Sequence, residues 1–461
     1  MSSPSVPDAT GRLSVREKIG YGLGDTASNF IFHTVNVFLF FYYVDVLGMG
    51  AAAIGTLFLV ARMLDTVTDP LMGTLADRTN TRWGKYRPYL LWLAVPFGIC
   101  GFLLFAVPDS DPSGQLVYAY VTYISVMLIY TAINIPYSAL LGVITPNSAE
   151  RTSVATYRFA CAFGGQLLIV AAARPLVAYF GQDDDAAGYK ITMGIFAAIS
   201  VVLFIMTFKL TQERVQPPAD QKSDLAKELK LLLRNVPWIV MFIAGIFTLA
   251  NVAVRGAVTL FYFKYYAGDD GSPWLGNFDM STVFLTSGTI ALITGVMCTK
   301  WLTPLGDKRQ LMIALSSLNA LVMALFYFVP ADALGLMFFL NVLGALLAGP
   351  TIPLVWSMFG DVADYGEWKF GHRSTGLVFS GVQFAQKFGL AIGSAMAGWL
   401  LASFGYVADA EQSPEAVKGI RLMFSILPAL FATGGVVAIW FYPIRGADVE
   451  RMGRELAAKK E

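Results

Sequence analysis

The sequence is poor in the residues that build metal centres and covalent cross-links. Its 461 residues include three cysteines and two histidines. Cys100, Cys161 and Cys298 all lie inside apolar stretches, so they indicate neither a disulfide framework nor a metal site. His33 and His372 are far apart in sequence, which argues against zinc chemistry and against a Ser-His-Asp hydrolase.

Charge is also scarce. Charged residues make up 14% of the chain and hydrophobic residues 56%, with a mean hydropathy of +0.58, whereas soluble domains carry about 25% charged residues. The net charge of +1 suggests no nucleic acid or acidic partner. The polar first 18 residues lack the apolar core of a cleaved signal peptide. Together with repeated long apolar runs, this composition predicts an all-α polytopic membrane protein that is not an enzyme.

We predict twelve transmembrane helices in two bundles of six, with a cytoplasmic linker between them. The expected spans are residues 20–46, 51–76, 88–107, 116–144, 153–180, 190–210, 234–265, 279–302, 310–329, 333–360, 374–405 and 419–442. The corresponding domains are an N-terminal segment (1–19), a first bundle (20–210), a linker (211–233), a second bundle (234–442) and a tail (443–461). Two such halves suggest rocking about a central cavity.

The basic residues predict the orientation. Lys and Arg concentrate in the N-terminal segment, the loop after the second span, the linker and the tail, while residues 44–50 and 107–115 hold none. Both termini and the linker are therefore expected on the cytoplasmic side of the inner membrane. Leu225, Leu229, Leu232 and Leu233 have the spacing of a short amphipathic surface helix; a solvated connector is the alternative.

One stretch in the second span carries two acids. Asp65 and Asp69 are four residues apart and share a helix face, with Arg62 and Thr68 beside them. A carboxylate at the bilayer centre costs about 2.5–3.5 kcal/mol. A hard monovalent cation or a shared proton would relieve this cost and the mutual repulsion. The competing interpretation is a structural ion pair with Arg62 or another basic residue.

Several motifs appear in a familiar order. They are Gly20-Tyr-Gly-Leu-Gly-Asp25, Phe41-Tyr-Tyr-Val-Asp45, the stretch 62–70 continuing through Gly73 and Asp77 to Arg82-Trp-Gly-Lys-Tyr-Arg-Pro88, Asn134-Ile-Pro-Tyr137, Asp361-Val-Ala-Asp-Tyr-Gly-Glu-Trp368 and Gly371-His-Arg373. Over nearly its whole length the chain resembles the glycoside–pentoside–hexuronide:cation symporter family, whose best-known member is melibiose permease. The resemblance implies the major facilitator fold and sugar transport coupled to Na⁺, Li⁺ or H⁺.

The resemblance also assigns roles to residues. It makes Asp65 and Asp69 the coupling aspartates, with Thr131 as a helper; Thr68 stands where melibiose permease has asparagine, which leaves Na⁺ and H⁺ both open. Two sugar-binding aspartates of that permease correspond to Asn29 and Asn134 here, its stacking tryptophan to Ser138, and a threonine to Gln383. Its arginine and lysine are kept as Arg158 and Lys387. A neutral Asn pair can bind hydroxyls, but galactosides are not carried over.

Other polar residues within the spans complete the expected substrate site. Asp25 belongs to a cavity network or pairs with Lys387 or Arg158. Lys387 holds the empty coupling carboxylates, bonds sugar, or forms a structural ion pair. Arg255 together with Arg158 would favour a hexuronide; a gate ion pair or a carbonyl anchor is the alternative. The uncharged sugar contacts are expected at Tyr130, Tyr137, Trp356 and Gln383, although aromatic residues, at 14% of the chain, mostly serve packing.

The charged turn after the second span resembles the loop that latches the outward-facing state in this superfamily. Its residues are Asp77, Arg78, Arg82, Lys85 and Arg87, and Arg62 is also expected to take part in gating. Its expected gating partners are Asp361, Asp364 or Glu367, and positive-inside topology explains the same charges without a gate. The sequence thus predicts a monomeric, cation-coupled sugar symporter without a cofactor. A non-transporting sugar sensor and an uncoupled facilitator are the alternatives.

Overall fold

The computed structural model describes residues 13–182, 184–215, 231–371 and 375–458. Within these ranges the regular structure is helical, apart from two isolated bridges. The first part of the chain forms α1 (Val15–Thr34, continued by π-helical turns Val35–Leu39 and Tyr42–Val46), α2 (Ala51–Arg78), α3 (Arg87–Trp92), α4 (Ala94–Leu103), α5 (Pro112–Val143), α6 (Ser148–Gly181) and α7 (Asp185–Leu210).

The second part repeats this pattern of long helices. It forms α8 (Val236–Tyr262, continued by the π turn Phe263–Ala267), α9 (Met280–Leu302), α10 (Lys308–Leu325), α11 (Leu334–Ala348), α12 (Thr351–Phe370), α13 (Thr375–Ser403), α14 (Pro414–Phe424), α15 (Ile426–Trp440) and α16 (Gly446–Ala458). Short 3₁₀ turns follow α9 and α10, at Thr303–Leu305 and Phe326–Phe328.

These helices account for all twelve predicted spans. Nine helical stretches in the described residues are long and apolar enough to cross a membrane. The other three spans are α1 with its π turns, α3 with α4, and α13. The third span is interrupted at Leu93, and the tenth consists of α11 and α12, which meet at Gly349 and Pro350. The prediction of an all-α polytopic fold with twelve transmembrane helices is confirmed.

Several helices begin at residues whose side chains accept a hydrogen bond from the backbone N–H three positions later. Ser14, Asp111, Asp184, Asn235 and Asp279 cap α1, α5, α7, α8 and α9 in this way. Such caps satisfy N–H groups that the helix itself leaves without partners. Each of these helices therefore begins at a polar capping residue that precedes an apolar stretch of the sequence.

The described residues divide into two compact units. The first contains residues 13–49 and 63–215, and the second contains residues 50–62 and 231–458. The start of α2 thus belongs to the second unit, where it packs on α13. A Cβ added to Gly398 would lie 2.4 Å from the Ala51 carbonyl oxygen, so the two backbones approach too closely for any larger residue. Thr56 accepts a hydrogen bond from the Trp399 indole at 3.1 Å.

The tail predicted at 443–461 contains one further helix, α16, which packs against α12. Met452 is buried there, and the Trp368 indole donates to Glu455 at 2.6 Å. Leu225 and Leu229 of the proposed linker helix lie outside the described residues, as do His372 and Arg373 of the last motif and residues 1–12. The domain boundaries drawn from the sequence stay a prediction.

Candidate functional site

The acidic pair lies on α2, in the part of that helix that belongs to the first unit. Asp65 is only 1% exposed and Asp69 is partly buried. The Thr131 hydroxyl of α5 donates to Asp69 Oδ1 at 3.0 Å. Thr68 donates instead to the Asp65 backbone carbonyl at 3.4 Å. The structure therefore brings Thr131 to the pair, whereas the Thr68 hydroxyl turns toward its own helix.

Pro70 follows the acidic pair inside α2. A proline has no N–H, so the helical bond to the carbonyl four residues earlier, at residue 66, cannot form. The same turn of helix therefore offers a carbonyl oxygen in addition to the carboxylates. Oxygen donors of this kind are what hard cations prefer.

Asp25 and Arg158 form a bidentate ion pair between α1 and α6. Arg158 Nε lies 2.5 Å from Asp25 Oδ2, and Nη2 lies 3.2 Å from Oδ1. Of the alternatives predicted for Asp25, the structure selects pairing with Arg158. The guanidinium also lies over the Tyr137 ring, 5.0 Å from its centroid. Arg158 is therefore held in place by both an acid and an aromatic face.

Tyr137 is fully buried. Its hydroxyl donates to the Tyr21 carbonyl at 2.8 Å, and the Tyr21 hydroxyl donates to the Tyr137 carbonyl at 3.2 Å. The two rings stack with centroids 4.8 Å apart. The ring is packed between Tyr21 of α1 and Arg158 of α6, and the sugar contact expected at Tyr137 stays a prediction.

The two asparagines of the predicted sugar site are both partly accessible in the first unit. Asn29 donates a long hydrogen bond of 3.5 Å to the Ala162 carbonyl. Tyr130 stacks on Phe32, with centroids 4.5 Å apart and ring planes 8° from parallel. Partly exposed amides next to a fixed aromatic platform can bind sugar hydroxyls and the C–H face of a sugar ring.

Four predicted site residues belong to the second unit. Gln383 is exposed, whereas Lys387 and Trp356 are partly buried. Arg255 donates to the Phe424 carbonyl at 3.1 Å and lies between the Phe326 and Phe424 rings, 4.5 and 4.2 Å from their centroids. For Arg255 the structure thus agrees with the alternative of a carbonyl anchor.

The charged turn after α2 is held by hydrogen bonds to other residues of the first unit. Tyr86 donates to Asp77 Oδ1 at 2.8 Å, and burial together with the Asp77 carboxylate raises the pKa of Tyr86. Glu213 accepts three backbone N–H bonds of 2.8, 2.8 and 2.9 Å from Lys85, Tyr86 and Arg87. Gly84 has a φ of +107°, and a Cβ there would lie 2.4 Å from the Glu213 carboxyl carbon.

The remaining gating candidates lie in different environments. Arg62 is 5% exposed, whereas Arg78 and Arg82 are exposed. Asp361 is bound by Lys308 at 2.7 and 2.9 Å, and Asp364 is partly buried. Since Lys308 holds Asp361 within the second unit, a gating contact of Asp361 with the charged turn stays a prediction.

Sequence reasoning missed three partners. Tyr21 precedes Asp25 by four residues, so helical spacing could have placed both on one face. Lys308 begins α10 and Glu213 lies just beyond α7, where no local pattern links them to Asp361 or to residues 85–87. These two contacts depend on tertiary packing.

A family profile described as MFS/sugar transport protein matches residues 20–446. The chain is 40% identical to the putative glycoside/cation symporter YagG of Escherichia coli K12, over 96% of this chain and 95% of that protein. It is 36% identical to the isoprimeverose transporter of Lactiplantibacillus pentosus, over 93% and 88% of the two chains.

Solved structures agree on the fold. The crystal structure of a D-xylose-proton symporter superposes with a TM-score of 0.64 at 14% identity, covering 93% of this chain and 96% of that one. Because the family profile matches residues 20–446, the chain belongs to the MFS/sugar transport family. The family recognised from the motifs is confirmed, and so is the prediction of a multi-pass secondary transporter in the sugar-transport class.

Proposed function

We propose that this protein is a cation-coupled sugar symporter in which Asp65 and Asp69 bind the coupling cation. The proposal rests on two acids one helical turn apart on α2. Asp65 is nearly inaccessible, and Asp69 accepts a hydrogen bond from Thr131. Two helices thereby contribute oxygens to one intramembrane position. Ionisable groups at such positions are retained mainly for function.

Electrostatics explain why a cation belongs there. Two carboxylates about 6 Å apart repel by roughly 3 kcal/mol at an effective dielectric constant of 20. A bound Na⁺ or Li⁺, or a shared proton, removes this repulsion and lowers the cost of placing the acids among lipid tails. The carbonyl left open by Pro70 and the Thr131 oxygen would complete an oxygen shell around a metal ion.

The sugar is proposed to be a neutral glycoside or pentoside. Arg158, which could have selected a hexuronide, is already neutralised by Asp25 through two bonds. Arg255 is anchored on the Phe424 carbonyl between two rings. Asn29 and Asn134, which are the predicted sugar-binding asparagines of the first unit, are uncharged amides that both donate to and accept from hydroxyls. The relative that transports isoprimeverose makes this sugar the first ligand to assay.

Transport of the two ligands is coupled if the cation and the sugar both stabilise the same conformation. Such linkage is reciprocal, so each ligand raises the affinity for the other.

We place both termini on the cytoplasmic side of the inner membrane, because the basic residues concentrate in the loops assigned there. The functional unit is proposed to be a monomer.

The test is sugar accumulation in proteoliposomes under an imposed Na⁺ or pH gradient. Asp65→Asn and Asp69→Asn should each abolish gradient-driven accumulation of isoprimeverose. Asp332→Asn, which neutralises an exposed acid in a loop, is the matched control and should leave accumulation intact. Gradient-driven accumulation by the Asp65→Asn/Asp69→Asn variant would refute the coupling role. Equilibration without accumulation by the unmodified protein would identify an uncoupled facilitator, and binding without flux a sensor.

A further inference from the structure

The second unit contains a cavity of about 160 Å³ among α8, α10 and α11. Its polar lining comes from Arg255, Asn319 and Asn341, and its apolar lining includes Val322, Phe326 and Leu340. None of the residues proposed for cation or neutral-sugar binding lines it. The cavity is therefore a separate feature of this unit.

Arg255 brings a permanent positive charge to this cavity. Guanidinium has five N–H donors and stays protonated in proteins. Within the described residues it donates to one carbonyl, that of Phe424, and forms no ion pair with a carboxylate. The Phe326 and Phe424 rings cover the two faces of the guanidinium. An acceptor for its remaining N–H donors must therefore lie in the plane of the group, beside its nitrogen atoms.

The two asparagines extend this donor set. Asn341 donates one N–H to the Phe284 carbonyl at 2.8 Å, and its amide carries a second N–H. Asn319 lies against Gly344, where an added Cβ would be 3.2 Å from Asn319 Oδ1 and 3.3 Å from Val322. Gly344 also lines the cavity, and its lack of a side chain lets Asn319 and Val322 lie this close to it, so a larger residue would push into the lining.

We infer that this cavity binds a small monovalent anion, of the size of chloride, nitrate or formate, which neutralises Arg255. Arg255 is partly buried, and a charge withdrawn from water without a counter-charge is costly, whereas a charge that is paired and hydrogen-bonded is tolerated. The volume accommodates such an ion together with water, since one water occupies about 30 Å³ of liquid. The bound anion would act as a structural ligand that holds α8, α10 and α11 together.

The experiment measures thermal unfolding of the purified protein with gluconate as the starting anion, replaced stepwise by chloride, nitrate or formate at constant ionic strength. Binding to the native state raises Tm, and a hundredfold excess over Kd should raise it by about 3–6 °C. Arg255→Gln removes the charge, and Gly344→Val fills the space; each should abolish the anion-dependent shift.

Two control variants sharpen the result. Gly335→Val changes a glycine of the same helix with no neighbour within 4 Å of its added Cβ and should keep the shift. Arg421→Gln removes another arginine that is anchored on a carbonyl and stacked on Tyr266 and Tyr327, outside this cavity, and should also keep it. An unmodified protein with the same Tm in all four anions overturns the inference, as does a shift that persists in Arg255→Gln or Gly344→Val. If one of these variants fails to fold, the other decides.

Discussion

Replacing either member of the Asp25–Arg158 pair should destabilise the protein strongly, and replacing both should cost much less than the sum. The side chains of Arg158 and Asp25 are 22% and 15% exposed, so each would leave a largely buried charge if the other were removed. Breaking a buried pair typically costs about 3–5 kcal/mol. At roughly 2 °C per kcal/mol for a chain of this size, Asp25→Asn or Arg158→Gln should lower Tm by about 6–10 °C.

The aromatic face predicts which variant is worse. In Asp25→Asn the guanidinium keeps its contact with Tyr137, and such a contact contributes about 0.5–2 kcal/mol. In Arg158→Gln both the ion pair and this contact are lost, so its Tm should be lower by a further 1–4 °C or so. The double variant leaves two neutral groups that can still hydrogen-bond, and it should recover at least half of the combined loss.

The assay is thermal unfolding in detergent by intrinsic fluorescence, carried out on the four proteins of this double-mutant cycle. Isoprimeverose binding to each protein, measured in parallel, separates stability from recognition. Additive losses in Tm would refute the argument that the pair is energetically coupled. A double variant with recovered Tm and normal sugar binding would show that Arg158 stabilises the fold through Asp25 and is not a sugar ligand.

Three further predictions concern the charged turn and the α2–α13 contact. Glu213→Ala removes the acceptor that three backbone N–H groups at residues 85–87 share. This variant should lower the free energy of unfolding by about 2–4 kcal/mol, measured as a reduced Tm. An unchanged Tm would contradict the prediction. Gly398→Val places side-chain atoms against the Ala51 carbonyl, at an overpacking cost of about 1–3 kcal/mol. This cost should depopulate the conformation in which α2 and α13 touch and slow proteoliposome uptake roughly tenfold. Normal uptake would show that the contact need not form during transport. The pKa of Tyr86 is raised above its ordinary value of 10.0 in the folded state, so the folded protein binds this proton more tightly than the unfolded chain and loses stability as pH rises above about 10. Tyr86→Phe should make the decline of Tm with alkaline pH less steep. The same dependence of Tm on pH in the variant and the unmodified protein would refute the prediction.

Much of the architecture could be predicted from the sequence because it depends on local properties. The number of spans follows from runs long enough to cross the hydrocarbon core. The acidic pair stands out because carboxylates inside such runs are costly and therefore rare. The motifs around Asp65, Asn134 and Asp361 are enough to indicate the family, which the profile match confirms.

The pairing of charges was decided by the tertiary structure. Asp25 and Arg158 are 133 residues apart, and the choice between Arg158 and Lys387 as partner depends on which helices pack together. Lys308 holds Asp361 for the same reason. Arg255 had three interpretations from sequence, and its position beside a cavity and a carbonyl could be read only from packing. Hydropathy acts along the chain and fixes which segments enter the membrane, but short-range contacts between distant segments exist only once the helices are packed.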